Sequence, residues 1–174
     1  MTDDSAAVDL LTDSFGRIRG LVETVTDGLT PEVSTFRVDD DANTVGWLLW
    51  HLARVQDDHV AELAGTEQVW PQWRQRFALP FDDLATGYGQ SSTDVAAVRV
   101  DATLLSGYHA DVDAFTTRYL TGLNQQELGR VVDTHWDPPV TAAARLVSVV
   151  GDCLQHLGQA AYVRGVAERR GSQG

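Results

Sequence analysis

Val147-Ser-Val-Val-Gly-Asp152-Cys-Leu-Gln-His156-Leu-Gly-Gln159-Ala-Ala-Tyr162 sets a carboxylate and an imidazole four residues apart inside an otherwise apolar run. Leu146, Val149, Val150, Cys153, Leu157, Ala160 and Val163 recur there at the period of one buried helix face. Pro138-Pro139 leads into that helix, which is expected to run from about Val140 or Thr141 to roughly Arg169. Side chains at i and i+4 of a helix point the same way, so Asp152 and His156 can reach one divalent cation, as paired ligands on a single helix do elsewhere. A third ligand must then come from another helix.

Upstream, Leu11, Phe15, Ile18, Val22, Val25 and Leu29 form one apolar stripe, which predicts a first helix over roughly Asp9 to Asp27, stopped by Gly28 and Thr30-Pro31. Glu32 to Asp41 reads as a solvated loop. A second helix spans about Val45 to Ala64, capped by Asn43 or Thr44 and ended by Gly65. Its first half, through Leu52, is apolar nearly all round, and its second half, Arg54 to Glu62, is charged. Thr66 to Ser91 is too long for a tight turn. It carries Trp70, Trp73, Phe77, Phe81 and Tyr88, and a connection of that length is expected to cover something. Ser91-Ser-Thr-Asp94 resembles a capping box, and Val95, Val98, Ala102, Leu105, Val112, Phe115 and Tyr119 carry a third helix to about Leu120, broken by Gly122. Val131 to Trp136 includes at most a short extended piece.

Four amphipathic helices joined by long loops read as an all-α helix bundle, and strand signals are too weak for a sheet. The connection between helices two and three is long enough to cross the bundle, so the expectation is that those two run parallel. With 174 residues and 43% hydrophobic content the chain is expected to form a single domain over 1–174 without staples. A net charge of −12 repels a phosphate backbone, so nucleic acid is not an expected partner. No apolar run has the length of a membrane span. The lone Cys153 excludes an internal disulfide, and the acidic Met-Thr-Asp-Asp-Ser start has no secretory pattern; a cytoplasmic location is expected.

Helix two offers His51 and His59, eight residues and about 12 Å of rise apart, too far to share a cation. His51 lies in the most apolar part of the helix, whereas His59 sits among Asp57, Asp58 and Glu62 and is expected near solvent. His51 is therefore the candidate third ligand. Asp152 and His156 can also simply pair with each other, and on their own spacing that is the simpler reading; His51 together with the family likeness described next favours the metal.

Trp47-Leu-Leu-Trp-His51-Leu-Ala-Arg-Val-Gln-Asp-Asp-His59, together with Asp152-x-x-x-His156-Leu-Gly-Gln159, resembles the DinB-like four-helix metalloproteins over nearly the whole chain. The likeness is nearest to the mycothiol S-transferase branch, which is related to mycothiol-dependent maleylpyruvate isomerase. It implies an up-down-down-up four-helix bundle and a divalent metal on His51, Asp152 and His156. Many members of the superfamily carry a third histidine where this chain has Asp152, and the isomerase relatives a carboxylate.

Two imidazoles and a carboxylate are a donor set of catalytic zinc sites with open positions; nickel, iron or manganese also suit it. The resemblance implies that mycothiol, a small thiol, is activated as a thiolate for attack on a small electrophile. An isomerase or hydrolase on the same scaffold and a non-catalytic metal-binding bundle are the alternatives. Trp70 to Tyr88 is expected to roof the pocket. Arg145 can meet an anionic or polyhydroxyl substrate group, His59 can lie behind the ligands or carry protons, and Gln159 can orient a ligand. Cys153, about 100° round the helix from Asp152, reads as a core residue rather than a nucleophile. A homodimer is compatible with these features.

Overall fold

A computed structural model of the chain describes residues 4–171. Among them are eight helices and one two-stranded hairpin. The first helix, α1 (Asp4–Thr26), begins earlier than its apolar stripe requires and buries Phe15, Ile18, Val22 and Val25. Gly28, at φ +65°, lets the chain reverse. The segment expected to be a solvated loop opens with a short turn, α2 (Pro31–Ser34), whose cap Thr30 accepts a hydrogen bond from the Val33 amide. Ser34 is buried, and Val33, Phe36 and Val38 pack on the core.

The second long helix, α3 (Val45–Ala64), has the expected bounds. The Thr44 hydroxyl accepts from the Trp47 amide, and Gly65 closes the helix in the left-handed region at φ +64°. Its charged half is not a solvated face, because Arg54, Gln56 and Asp57 are fully enclosed.

The connection after α3 contains a single 3₁₀ turn and α4 (Arg74–Phe77). The third long helix is shorter than its apolar spacing suggests. The Ser91/Asp94 capping box forms and starts α5 (Ser92–Ala97), but Val98 leaves the helix at ψ 89°, and α6 (Ala102–Thr121) begins afresh after Asp101. Val98 and Val100 are β-branched and hold a helix poorly, and turning out of it lets Val98 bury completely.

After α7 (Gln125–Leu128), strands β1 (Val131–Asp133) and β2 (Val140–Thr141) pair antiparallel across a turn that includes a cis Asp137–Pro138 bond. Val140 and Thr141, expected to open the last helix, belong to this hairpin instead. The last helix, α8 (Ala142–Gly171), follows directly. The four long helices pack in a ring in which α1 and α3 each lie against both α6 and α8. The fold is therefore all-α apart from the hairpin. Its core is continuous from Phe15 and Ile18 through Leu48 and Leu52 to Leu146 and Leu157. No described helix is long and apolar enough to cross a membrane.

Candidate metal centre

His51 sits one and a half turns into α3, where the helix is enclosed on every side, and is only 6% exposed. The Trp47 indole stacks on its ring at 4.7 Å and 13°. Its Nδ1–H donates to the Thr86 carbonyl at 2.5 Å, which leaves the Nε2 lone pair for a ligand. Gly87, at φ +103°, brings the loop backbone this close: a Cβ there would fall 2.6 Å from His51 Nδ1.

The loop is held in turn by buried polar groups of α3. Arg54 Nε donates to the Ala85 carbonyl (3.1 Å) and Nη1 to Gln68 Oε1 (2.8 Å). The Asp57 carboxylate accepts from the amides of Val69 and Trp70, each at 2.8 Å, and from the Tyr108 hydroxyl at 2.7 Å. Burial pushes the Asp57 carboxyl above its ordinary value, opposed by these hydrogen bonds and by Arg54.

On α8, His156 Nδ1–H donates to the Asp152 backbone carbonyl at 2.8 Å, again leaving Nε2 free. The His51 and His156 rings meet edge to face with centroids 4.6 Å apart. One donor atom from each of His51, Asp152 and His156 lies within 4.8 Å of the others. Asp152 Oδ2 is enclosed and accepts no hydrogen bond. It lies 3.4 Å from His156 Nδ1, whose proton is already given to the Asp152 carbonyl.

Burial holds the His51 imidazole below its usual pKa, with the Thr86 carbonyl opposing. The Asp152 carboxylate, 3.4 Å from Nδ1, raises that of His156 despite burial. Burial works against ionisation of Asp152, but the adjacent His156 and the other neighbouring imidazoles outweigh it and hold the carboxyl below its ordinary value. Two imidazoles fixed through Nδ1 to carbonyls, and an orphaned carboxylate oxygen between them, fit a divalent cation.

Beside the three lies a cleft of about 340 Å³ lined by His51, Val55, Asp58, His59, Thr86, Tyr88 and Asp152. The expected aromatic roof is mostly elsewhere. Trp70, Trp73 and Phe77 are buried around Tyr108, with ring centroids 5.2, 6.1 and 5.7 Å from it, and serve as core. From that segment only Thr86 and the exposed Tyr88 reach the cleft.

His59 is on the cleft wall, with Nδ1 3.0 Å from Arg145 Nη1. Arg145 is largely enclosed and bound to Glu62 at 2.9 Å, with Asp133 at 3.6 Å, so its charge is spent on the protein rather than held open for a substrate. The Gln159 side chain is exposed and joins no hydrogen bond among the described residues. Cys153 is buried against the Leu52 carbonyl, and burial raises its thiol pKa, which removes it as a nucleophile. His109 lies buried away from the cleft, its pKa lowered by burial and by Arg19 to about 4. His135 is exposed beside Asp133. The contributions of Thr86 and Gly87 carry no side-chain signature; the pair of loop glycines around Tyr88 was the one available signal.

The sequence model of a family described as Mycothiol-S-transferase matches residues 10–168. No curated protein matches the chain in sequence. A solved structure described as "Crystal structure of the conserved protein of locus from Enterococcus faecalis" superposes with a TM-score of 0.83 at 31% identity, covering 90% of this chain and 94% of that one.

Proposed function

Because the chain belongs to the mycothiol S-transferase family, we propose that it is a divalent-metal-dependent S-transferase joining a small thiol, mycothiol, to small electrophiles. The observation that carries this reading is the orphaned Asp152 Oδ2 between two imidazoles whose Nδ1 atoms are already engaged. His51, Asp152 and His156 would hold the cation, with zinc the first choice for this donor set and nickel, iron or manganese the others. A cation bound there supplies Lewis acidity that lowers the pKa of a thiol brought to it. The remaining work falls to the chain. The Thr86 and Asp152 carbonyls keep both rings aimed, Trp47 shields His51, and Val55 and Tyr88 offer apolar surface to the electrophile. The four long helices run up-down-down-up, a reading supported by their ring order and by the long connection between α3 and α6.

The test is elemental analysis of the purified protein and of His51→Ala, Asp152→Ala and His156→Ala, followed by turnover of generic electrophiles with and without thiol. Near-stoichiometric metal lost in each folded variant, together with thiol-dependent turnover, is the expected result. A wild type that takes up no zinc, nickel, iron or manganese would sink the reading. Metal-dependent turnover without thiol would move it to a hydrolase or isomerase, which the same donor set also suits.

A further inference from the structure

His59 is unexplained by the metal site, yet it shares a cleft with His51 and Asp152. It stands two turns beyond His51 on α3. Its Nδ1 is 3.0 Å from Arg145 Nη1, and a guanidinium has only donors, so Nδ1 accepts. A neutral imidazole accepting at Nδ1 carries its proton on Nε2. The carboxylates that face the ring do not compete for Nδ1 at hydrogen-bond distance. Asp58 Oδ2 is 4.0 Å away, with Oδ1 of that residue bound to Gln68. Glu62 Oε2 is 3.8 Å away and bound to Arg145. Asp152, at the cation end of the cleft, is the remaining charge. No described protein group accepts from Nε2.

The other walls of the cleft offer little to an anion. Val55 is apolar, and the Thr86 carbonyl is spent on His51. Asp58 and Asp152 are negative. Besides the Thr86 and Tyr88 hydroxyls, the Nε2–H of His59 is thus a donor that the cleft can present to developing negative charge, and it is held in one tautomer by a mostly buried arginine that is itself fixed by Glu62 and Asp133.

We propose that His59 is a catalytic donor of this cleft, whose Nε2–H hydrogen-bonds the atom of the electrophile that gains negative charge as the carbon–sulfur bond forms, with Arg145 as its positioning residue. The assignment rests on the S-transfer reading. It also narrows the substrate class to small electrophiles whose departing or accepting atom takes a hydrogen bond, such as halide, phenolate oxygen, carbonyl or nitro oxygen. The thiol proton passes to solvent and the sulfur electron pair forms the bond to carbon. The displaced pair leaves with the departing group, or settles on the accepting oxygen until solvent protonates the adduct. His59 keeps its proton throughout, since a ring held this way has no lone pair facing the cleft and does not act as a base.

Two measurements test this. In metal-loaded protein labelled with ¹⁵N-histidine, long-range proton–nitrogen correlations, assigned by the signals lost in His59→Gln, should show His59 as the Nε2–H tautomer. Arg145→Met should release it to a mixture. A proton on Nδ1 in the wild type, or a tautomer indifferent to Arg145→Met, overturns the positioning argument. In kinetics with a series of aryl electrophiles differing in leaving group, His59→Ala should lower kcat roughly 10²–10³-fold, the effect of removing one such donor. The loss should grow with the basicity of the departing atom, while metal content and the KM for thiol stay unchanged. His59→Gln, which retains an N–H donor, should recover much of the rate. Equal losses in Ala and Gln, or a loss independent of the leaving group, overturn the catalytic role. Metal-loaded wild type that turns over no electrophile with thiol removes the S-transfer reading and this role with it. Thiol-dependent turnover indifferent to His59→Ala removes only the role.

Discussion

Gly87→Ala tests whether a loop backbone, rather than any side chain, aims His51. At φ +103° an alanine is strained by about 1–3 kcal/mol. Its Cβ would sit 2.6 Å from His51 Nδ1 and 3.1 Å from both Trp47 Cζ2 and Trp50 Cζ3. Both indoles are buried, so the loop must retreat rather than the rings. Retreat breaks the bond from His51 to the Thr86 carbonyl, a net loss of about 1 kcal/mol. The metal-free protein should therefore lose about 2–4 kcal/mol in urea unfolding. Loss of the acceptor that orients a ligand imidazole lowers metal affinity roughly 10–100-fold, readable by competition with a chromogenic chelator. Gly89→Ala is the control. At φ +72° it also strains the backbone, but its Cβ would meet nothing within 4 Å, so it should cost about 1–2 kcal/mol and leave metal affinity alone. Gly87→Ala binding metal within about twofold of wild type, or Gly89→Ala losing as much affinity, would refute the orienting role.

Other consequences are open to measurement. Asp57→Ala leaves Arg54 charged and enclosed and two loop amides without an acceptor, so stability should fall by about 3–5 kcal/mol; a loss under about 1 kcal/mol would show that the network does not hold the loop. The raised pKa of His156 contributes stability to the metal-free fold that is present below the unfolded value of about 6.5 and lost as pH rises through the folded value. The lowered pKa of Asp152 contributes above about 3.9 and is lost as pH falls through its folded value. The stability gap between wild type and His156→Gln should therefore narrow above neutrality, and a gap constant from pH 5 to 9 would contradict the pairing. Metal binding has the opposite dependence, because the His156 proton must leave; affinity should fall up to about tenfold per unit as pH drops below that folded value. Cys153, fully enclosed, should react with a thiol reagent only at the rate of unfolding; rapid labelling of the native protein would place it at the surface.

Local rules were legible in the sequence and long-range ones were not. Thr44 and Gly65 bound α3 to the residue because a cap and a left-handed stop depend on a few neighbours. Asp152 and His156 come together because four residues of helix dictate it, and His51 joins them because the apolar half of α3 had to face α8. The split at Val98 escaped the pattern, since its apolar spacing continues through the break while its backbone does not. Arg54 and Asp57 read only as part of a charged half-helix, because the loop supplies their partners from 12 and more positions away. The tryptophans of the connection suggested a pocket wall for a simple reason: large rings signal burial without saying what they are buried against, and Tyr108 of α6 was that surface.

Both acceptors that aim the candidate ligands are main-chain oxygens, the carbonyl of Thr86 for His51 and that of Asp152 for His156. Main-chain oxygens are inherited by whichever residue occupies the position. A change at residue 152 from carboxylate to imidazole would alter the donor set and leave the aim of His156 intact, so the charge of the centre can drift over evolutionary time without rebuilding its scaffold. The same economy makes the centre sensitive to any change that moves the backbone, which places its vulnerable points at Gly87, in the helical register of α8 and at the Arg54 and Asp57 side chains that anchor the loop.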